Sequence, residues 1–194
     1  GFGYDIWSAD LARYAELTGN PGVISCMMSA LTMPLVFDPG ERWFYGTNID
    51  YAGLMVEAVT GQSLGAYMAE HIFAPLGMTS TASRITDDMR SRLSDMHARL
   101  EDGSLVPMEF EIPQEPEFEM GGGGLYSTIL DYARFLQLFL NRGRAGDVEV
   151  VQPGTVAERT RNNMGDLRVE LLKTANPGYS HDAEFFPGVP KSWG

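Results

Sequence analysis

Apolar residues recur at helical spacing in several stretches of the chain, and residues that start or stop helices bound these stretches. The pattern predicts helices at residues 8–17, 49–60, 64–73 and 128–140, and another from about Gly154. Ser8 suits the first helix start, because its side chain can accept a free backbone N–H. Gly61 suits the end of the second helix, because glycine readily takes the left-handed conformation.

In the acidic stretch at residues 109–119, charged and apolar side chains alternate with a period of two. Five glutamates share one parity, and apolar residues take the other: Phe110, Ile112 and Phe118. This predicts an edge strand or extended loop with a solvated charged side. A glycosidase would need two such carboxylates around a sugar, but nothing distinguishes two of the five, so a solvated face is favoured.

Residues 38–53 predict a turn, a short extended run, a second turn and a helix start. Asp38-Pro39-Gly40 suits a tight turn, because proline presets φ and glycine accepts a positive φ. Side chains then alternate, so Trp43 and Tyr45 share a face and Phe44 takes the other. Gly46 is predicted to allow a sharp turn, and Thr47 or Asn48 to cap the helix that follows.

Tyr45 therefore precedes a helix N-terminus, where partial positive charge favours an anion. An ordinary phenol has a pKa of about 10, so it acts as a base near neutrality only if its surroundings stabilise the phenolate. Lysine ammonium groups would do this better than a helix end. Alternatively, Tyr45 is a half-buried aromatic residue with a solvated hydroxyl group.

These residues resemble the serine β-lactamase-like superfamily, in particular family VIII carboxylesterases and fungal statin acyltransferases. The shared signature Pro-Gly-x-x-Trp-x-Tyr-x-x-x-x-Asp-x-x-Gly stands here as Pro39, Gly40, Trp43, Tyr45, Asp50 and Gly53. The resemblance implies that Tyr45 is a catalytic residue that helps to activate a serine nucleophile. Asp50 is expected to be structural, because a carboxylate in the first turn of a helix complements its dipole.

One departure from the superfamily bears on substrate. β-Lactamases and D-alanyl carboxypeptidases of this superfamily have Tyr-x-Asn, whereas this chain has Thr47 at the asparagine position. The departure favours an esterase acting on a small-molecule ester. A β-lactamase, a peptidase and an acyltransferase of the same fold remain alternatives.

A second segment of the chain also resembles the superfamily. It contains Gly121–Gly124 and continues with Ser127, Thr128, Asp131, Arg134 and Phe135. The resemblance implies close backbone packing beneath the active site, without a direct chemical role. It also implies an α+β fold of the β-lactamase/transpeptidase type, of which this chain is mostly the helical part with little strand.

The nucleophile motif Ser-x-x-Lys is absent, as is Gly-x-Ser-x-Gly. The only lysines are Lys173 and Lys191, and Lys173-Thr174-Ala175 lacks the glycine of the Lys-Thr-Gly motif. We therefore interpret residues 1–194 as a single partial domain, the central portion of a β-lactamase-like domain. On this interpretation the nucleophile segment and the last strands lie outside the chain, which is inactive alone. A binding protein that has lost the nucleophile is the alternative from another class.

Composition narrows the possible partners. With 44% hydrophobic and 21% charged residues, the chain is globular in type. Its net charge of -12 argues against nucleic acid and anionic membrane surfaces. No apolar run is long enough to cross a membrane. Oligomeric state and compartment stay open.

No cofactor or metal is expected. Cys26 is the only cysteine, so the chain cannot form an internal disulfide, and its apolar neighbours favour a buried, inert thiol. The three histidines, His71, His97 and His181, lie too far apart in sequence to suggest paired metal ligands.

Overall fold

The structure is a computed structural model that describes residues 1–178, 180–184 and 186–192. Its described part is mainly helical. The α-helices are α1 (Ala9–Thr18), α2 (Asn48–Thr60), α3 (Leu64–Met68), α4 (Ala74–Leu76), α5 (Asp87–Arg90), α6 (Ile129–Leu140) and α7 (Pro153–Arg159). Short 3-10 turns occupy Asp5–Trp7, Val23–Ser25 and Met28–Leu31. None of the helices in this part has the length and apolarity that a membrane crossing requires.

Local capping explains where the longer helices begin and end. The Ser8 hydroxyl oxygen accepts the N–H of Leu11 at the start of α1, and Gly61 ends α2 with φ 71°, as predicted. Thr128 accepts the N–H of Asp131 at the start of α6. The predicted cap of α2 is wrong, because Thr47 takes the N-cap position but its side chain makes no capping hydrogen bond.

The helix predicted at residues 64–73 is interrupted and extended. After α3, a π-helical turn occupies Ala69–Phe73 and leads directly into α4. Pro75 lies near the start of α4. Proline has no N–H and crowds the carbonyl four residues earlier, and the wider turn just before it suits that geometry. Gly77, with φ 65°, ends the segment.

Two apolar clusters hold the chain together. In the first, Cys26 lies buried with Leu31, Phe118 and Met120, and Tyr51 and Leu54 of α2 pack against them. In the second, Leu138 of α6 packs with the segment around α4, contacting Phe73, Leu76 and Met78. Burial raises the pKa of the Cys26 thiol, in keeping with the inert role expected for it.

The strands of the described part form two antiparallel hairpins. Strand β1 (Met96–Arg99) pairs with β2 (Leu105–Met108), and β3 (Arg144–Ala145) pairs with β4 (Val148–Glu149). The second hairpin lies between α6 and α7. The first was not predicted, because its side chains are almost all exposed and no apolar alternation marks it.

The acidic stretch at residues 109–119 forms an irregular extended loop. The prediction that its glutamates form a solvated face is wrong for Glu119, whose side chain is only 9% exposed. This carboxylate accepts hydrogen bonds from the Gly65 N–H and from the Ser83 hydroxyl group, the latter at 3.0 Å. Glu119 therefore ties the loop to the start of α3.

Candidate active site

The first turn of the signature forms as predicted. The N–H of Glu41 donates to the carbonyl oxygen of Asp38 at 3.2 Å, and Gly40 between them has φ 94°. This is the geometry that Pro-Gly favours at the centre of a tight turn. The turn directs the chain back toward the residues that precede α1.

The extended run after the turn has the predicted two faces. Trp43 and Tyr45 line one cavity together with Trp7. Phe44 packs edge-to-face on Phe37 with ring centroids 6.0 Å apart. The alternation therefore presents Tyr45 on the cavity side of the run.

Gly46 serves a different purpose from the one predicted. Its φ is not in the left-handed region, so a sharp turn is not what requires glycine here. A Cβ atom at this position would lie 2.5 Å from the backbone carbonyl of Phe2 and 2.6 Å from the Cα of Gly3. Glycine is needed because the two backbones touch, and that contact brings Tyr4 beside Tyr45.

Tyr45 lies between two apolar cavities. The first has a volume of about 250 Å³. Its walls include Tyr4 and Tyr45, the glycines Gly122–Gly124, and apolar side chains from three other segments, among them Ile24, Ile112 and Met120. The second cavity, of about 310 Å³, is formed by Trp7, Trp43 and Tyr45 with Val169, Leu172 and Ala183 among the others. One ring thus borders both spaces.

The Tyr45 side chain is 39% exposed. Its hydroxyl group makes no hydrogen bond to any residue that the structure describes. Neither Lys173 nor Lys191 is among the residues that line the two cavities. The hydroxyl group remains available to a substrate or to another part of the protein.

A second tyrosine supports the first. Tyr4 is 8% exposed and meets Tyr45 edge-to-face, with ring centroids 5.2 Å apart and an interplanar angle of 64°. Its hydroxyl group donates to Oδ2 of Asp50 at 3.2 Å. Burial, the Asp50 carboxylate and Tyr45 together raise the pKa of Tyr4 far above the usual value for a phenol.

Asp50 joins the signature to the glycine segment. It is fully buried in the first turn of α2, and its Oδ1 accepts the N–H of Gly122 at 3.0 Å. A Cβ atom at Gly121 would lie 2.3 Å from the carbonyl oxygen of Ile49, so the segment packs directly on the backbone of α2. This is the close backbone packing expected of the glycines.

The remaining candidates lie elsewhere. His181 is exposed, and His97 lies on the exposed strand β1. Across the described ranges no three or more histidine, cysteine or acidic side chains are grouped to hold a metal ion. Sequence reasoning missed Tyr4, which lies 46 residues from Asp50. Gly3 and Gly46 allow the close approach, but glycines alone do not reveal which segments meet.

Sequence comparisons find a matching family model and several similar proteins. A sequence model of the β-lactamase family matches residues 9–182. The chain is 35% identical over 173 residues to a lovastatin esterase from Penicillium rubens, covering 85% of the chain and 42% of that protein. It is 38% identical over 136 residues to monacolin J acid methylbutanoyltransferase from Aspergillus terreus, covering 67% of the chain and 32% of that protein.

Solved structures of β-lactamase-like proteins share the fold of this chain. A mutant simvastatin synthase from Aspergillus terreus superposes with a TM-score of 0.73 at 32% identity, covering 84% of this chain and 39% of that one. A β-lactamase-like protein from Bacteroides dorei gives a TM-score of 0.51 at 29% identity, covering 73% of this chain and 35% of that one. The expected β-lactamase/transpeptidase-like fold, rich in helix and poor in strand, is confirmed. The chain spans about two fifths of the length of the first curated relatives it matches.

Proposed function

The chain belongs to the β-lactamase family, whose members include an esterase and acyltransferases, and we propose that it supplies the tyrosine of a serine hydrolase that cleaves carboxylic esters. The observation that carries the proposal is the position of Tyr45. Tyr45 borders two apolar cavities, and its hydroxyl group makes no hydrogen bond within the described residues. A proton-transfer group needs this combination of access and a free hydroxyl.

The cavities support an ester with apolar substituents. Their walls are mainly aliphatic and aromatic, with Asp50 on the first cavity and Glu170 on the second, and binding an apolar group there removes its surface from water. Thr47 in place of the asparagine of Tyr-x-Asn argues in the same direction, away from lactams and peptides. The names of two relatives, a lovastatin esterase and a methylbutanoyltransferase, fit acyl chemistry on small molecules.

The proposed reaction passes through an acyl-enzyme. A serine of a Ser-x-x-Lys motif, contributed by residues beyond this chain, attacks the ester carbonyl and loses its proton to the base that Tyr45 forms with the lysine. The same base returns the proton to the departing alcohol as the C–O bond breaks. Water then repeats the sequence on the acyl-enzyme, releasing the acid and restoring the serine.

A trapping experiment tests the proposal. The complete gene product is mixed with p-nitrophenyl butyrate and quenched early, and its mass and peptide map are recorded. We expect a burst of p-nitrophenol close to the enzyme concentration and one butyryl group on a serine of Ser-x-x-Lys. Turnover without a covalent intermediate, or no turnover of any short ester, would contradict the proposal.

Acyl transfer is a second candidate, favoured by the 38% identity to the methylbutanoyltransferase. The two candidates differ in what attacks the acyl-enzyme. Adding an alcohol to the same assay distinguishes them, because a transferase yields the new ester at the expense of the free acid. A cephalosporin in a parallel assay reports lactam hydrolysis, which we expect to be negligible.

A further inference from the structure

Two tyrosines meet at the first cavity, but their hydroxyl groups have different surroundings. The Tyr4 ring is almost wholly buried, and its hydroxyl group is already bound to Asp50. The Tyr45 ring is partly exposed, and its hydroxyl group has no partner within the described chain. The two rings are in direct contact, with centroids 5.2 Å apart, so the position of one depends on the position of the other.

Asp50 is the group that makes the two tyrosine hydroxyl groups different, because it binds only that of Tyr4. Its carboxylate is fully buried, and no arginine, lysine or histidine within the described ranges pairs with it. Burying a charge without a counterion costs free energy unless hydrogen bonds and dipoles compensate. Here the compensation comes from the Tyr4 hydroxyl group, the Gly122 N–H and the N-terminal end of α2.

We propose that Asp50 is a positioning residue that holds Tyr4 as a neutral hydrogen-bond donor and thereby leaves Tyr45 as the phenol that exchanges protons. This inference rests on the proposed function, because it concerns the same tyrosine. Asp50 acts through Tyr4, and no contact with substrate is assigned to it.

The geometry supports each step of this argument. The hydrogen bond to Asp50 fixes the Tyr4 ring, and the edge of one ring against the other fixes the position of Tyr45. Burial, and then the facing Asp50 carboxylate, raise the pKa of Tyr4 and keep its hydroxyl group protonated. Gly122 completes the arrangement, because a Cβ atom there would lie 2.6 Å from the Tyr4 hydroxyl oxygen.

The first test uses Asp50→Asn in the complete gene product. Asparagine keeps the shape and can still accept the N–H of Gly122, but it removes the negative charge. We expect kcat for p-nitrophenyl butyrate to fall about 10- to 100-fold, because the base is misplaced and has a competitor, with KM changed little. Tyr4→Phe removes only the donor hydroxyl group, and it should lower kcat similarly even if Asp50→Asn folds poorly.

A matched control is available one residue away. The Tyr51 hydroxyl group, also on α2, donates to the carbonyl oxygen of Leu31 at 2.6 Å, and Tyr51 is not among the residues that line either cavity. Tyr51→Phe therefore removes a comparable hydrogen bond from the same helix, and we expect kcat to stay near that of the wild type. Equal losses in Tyr51→Phe and Tyr4→Phe would overturn the inference, since both would then reflect general loosening of α2.

The deciding measurement is the rate of double variants, in which Asp50→Asn or Tyr4→Phe is added to Tyr45→Phe. If Asp50 acts through Tyr45, Asp50→Asn and Tyr4→Phe leave the residual rate of Tyr45→Phe unchanged. If they lower that residual rate by the same factor as in the wild type, the role is merely structural and the inference fails. If Tyr45→Phe is inactive but Asp50→Asn and Tyr4→Phe are fully active, the inference fails while the proposed function stands. Full activity in Tyr45→Phe overturns both.

Discussion

Replacing Tyr45 by phenylalanine in the complete gene product is expected to lower kcat for p-nitrophenyl butyrate about 100- to 10,000-fold, the usual contribution of a positioned acid–base group. The variant keeps the ring, so the walls of both cavities and the contact with Tyr4 remain. KM should therefore change little, because the lost hydroxyl group acts in the transition state more than in substrate binding.

Tyr132→Phe provides the control for this measurement. Tyr132 is 55% exposed on α6 and lines neither of the two cavities. Removing its hydroxyl group should leave both kinetic parameters at the wild-type level. A Tyr45→Phe enzyme as active as the Tyr132→Phe enzyme would exclude the phenol from proton transfer.

The second large effect is expected at Asp131, and it concerns stability. Asp131 is 2% exposed in the first turn of α6. Its carboxylate accepts the N–H of Ser80 at 2.8 Å, the Thr81 hydroxyl group at 3.0 Å and the guanidinium group of Arg134 at 2.6 Å. Asp131→Ala leaves the Ser80 N–H without its partner and removes the two hydrogen bonds by which Asp131 joins α6 to the loop after α4. We expect a loss of about 3 to 5 kcal/mol in the free energy of unfolding.

An exposed aspartate–arginine pair in the same chain shows whether burial is the cause. Asp88 pairs with Arg92, and its side chain is 74% exposed. Asp88→Ala should cost about 1 kcal/mol or less, because water replaces the lost partner. Urea unfolding of both variants in the complete gene product measures the difference. Equal losses would mean that the Asp131 network contributes no more than a surface ion pair.

The sequence predicted well those features that depend on neighbouring residues. Ser8 and Thr128 cap helices because a side-chain oxygen reaches an N–H three residues later, and no distant contact alters this. The Pro39-Gly40 turn depends on φ preferences of two residues. Alternation along an extended run likewise put Trp43 and Tyr45 on one side.

Features that depend on contacts between distant segments were not predicted. Gly46 was assigned a turn because its partner, the backbone of Phe2, lies 44 positions away and cannot be identified from spacing. Asp50 was assigned to the helix dipole, since nothing in its own helix reveals Tyr4 or Gly122. Glu119 shares parity with exposed glutamates, and only the approach of α3 distinguishes it.

The central claim is that Tyr45 exchanges a proton with the nucleophile. Its most direct test is a crystal structure of the complete gene product in which the nucleophilic serine is resolved. The account predicts that the Tyr45 hydroxyl oxygen lies about 2.6 to 3.2 Å from the nucleophilic serine oxygen, within hydrogen-bond reach. A serine oxygen beyond that reach, with another base bound to it and Tyr45 facing away, would contradict the account.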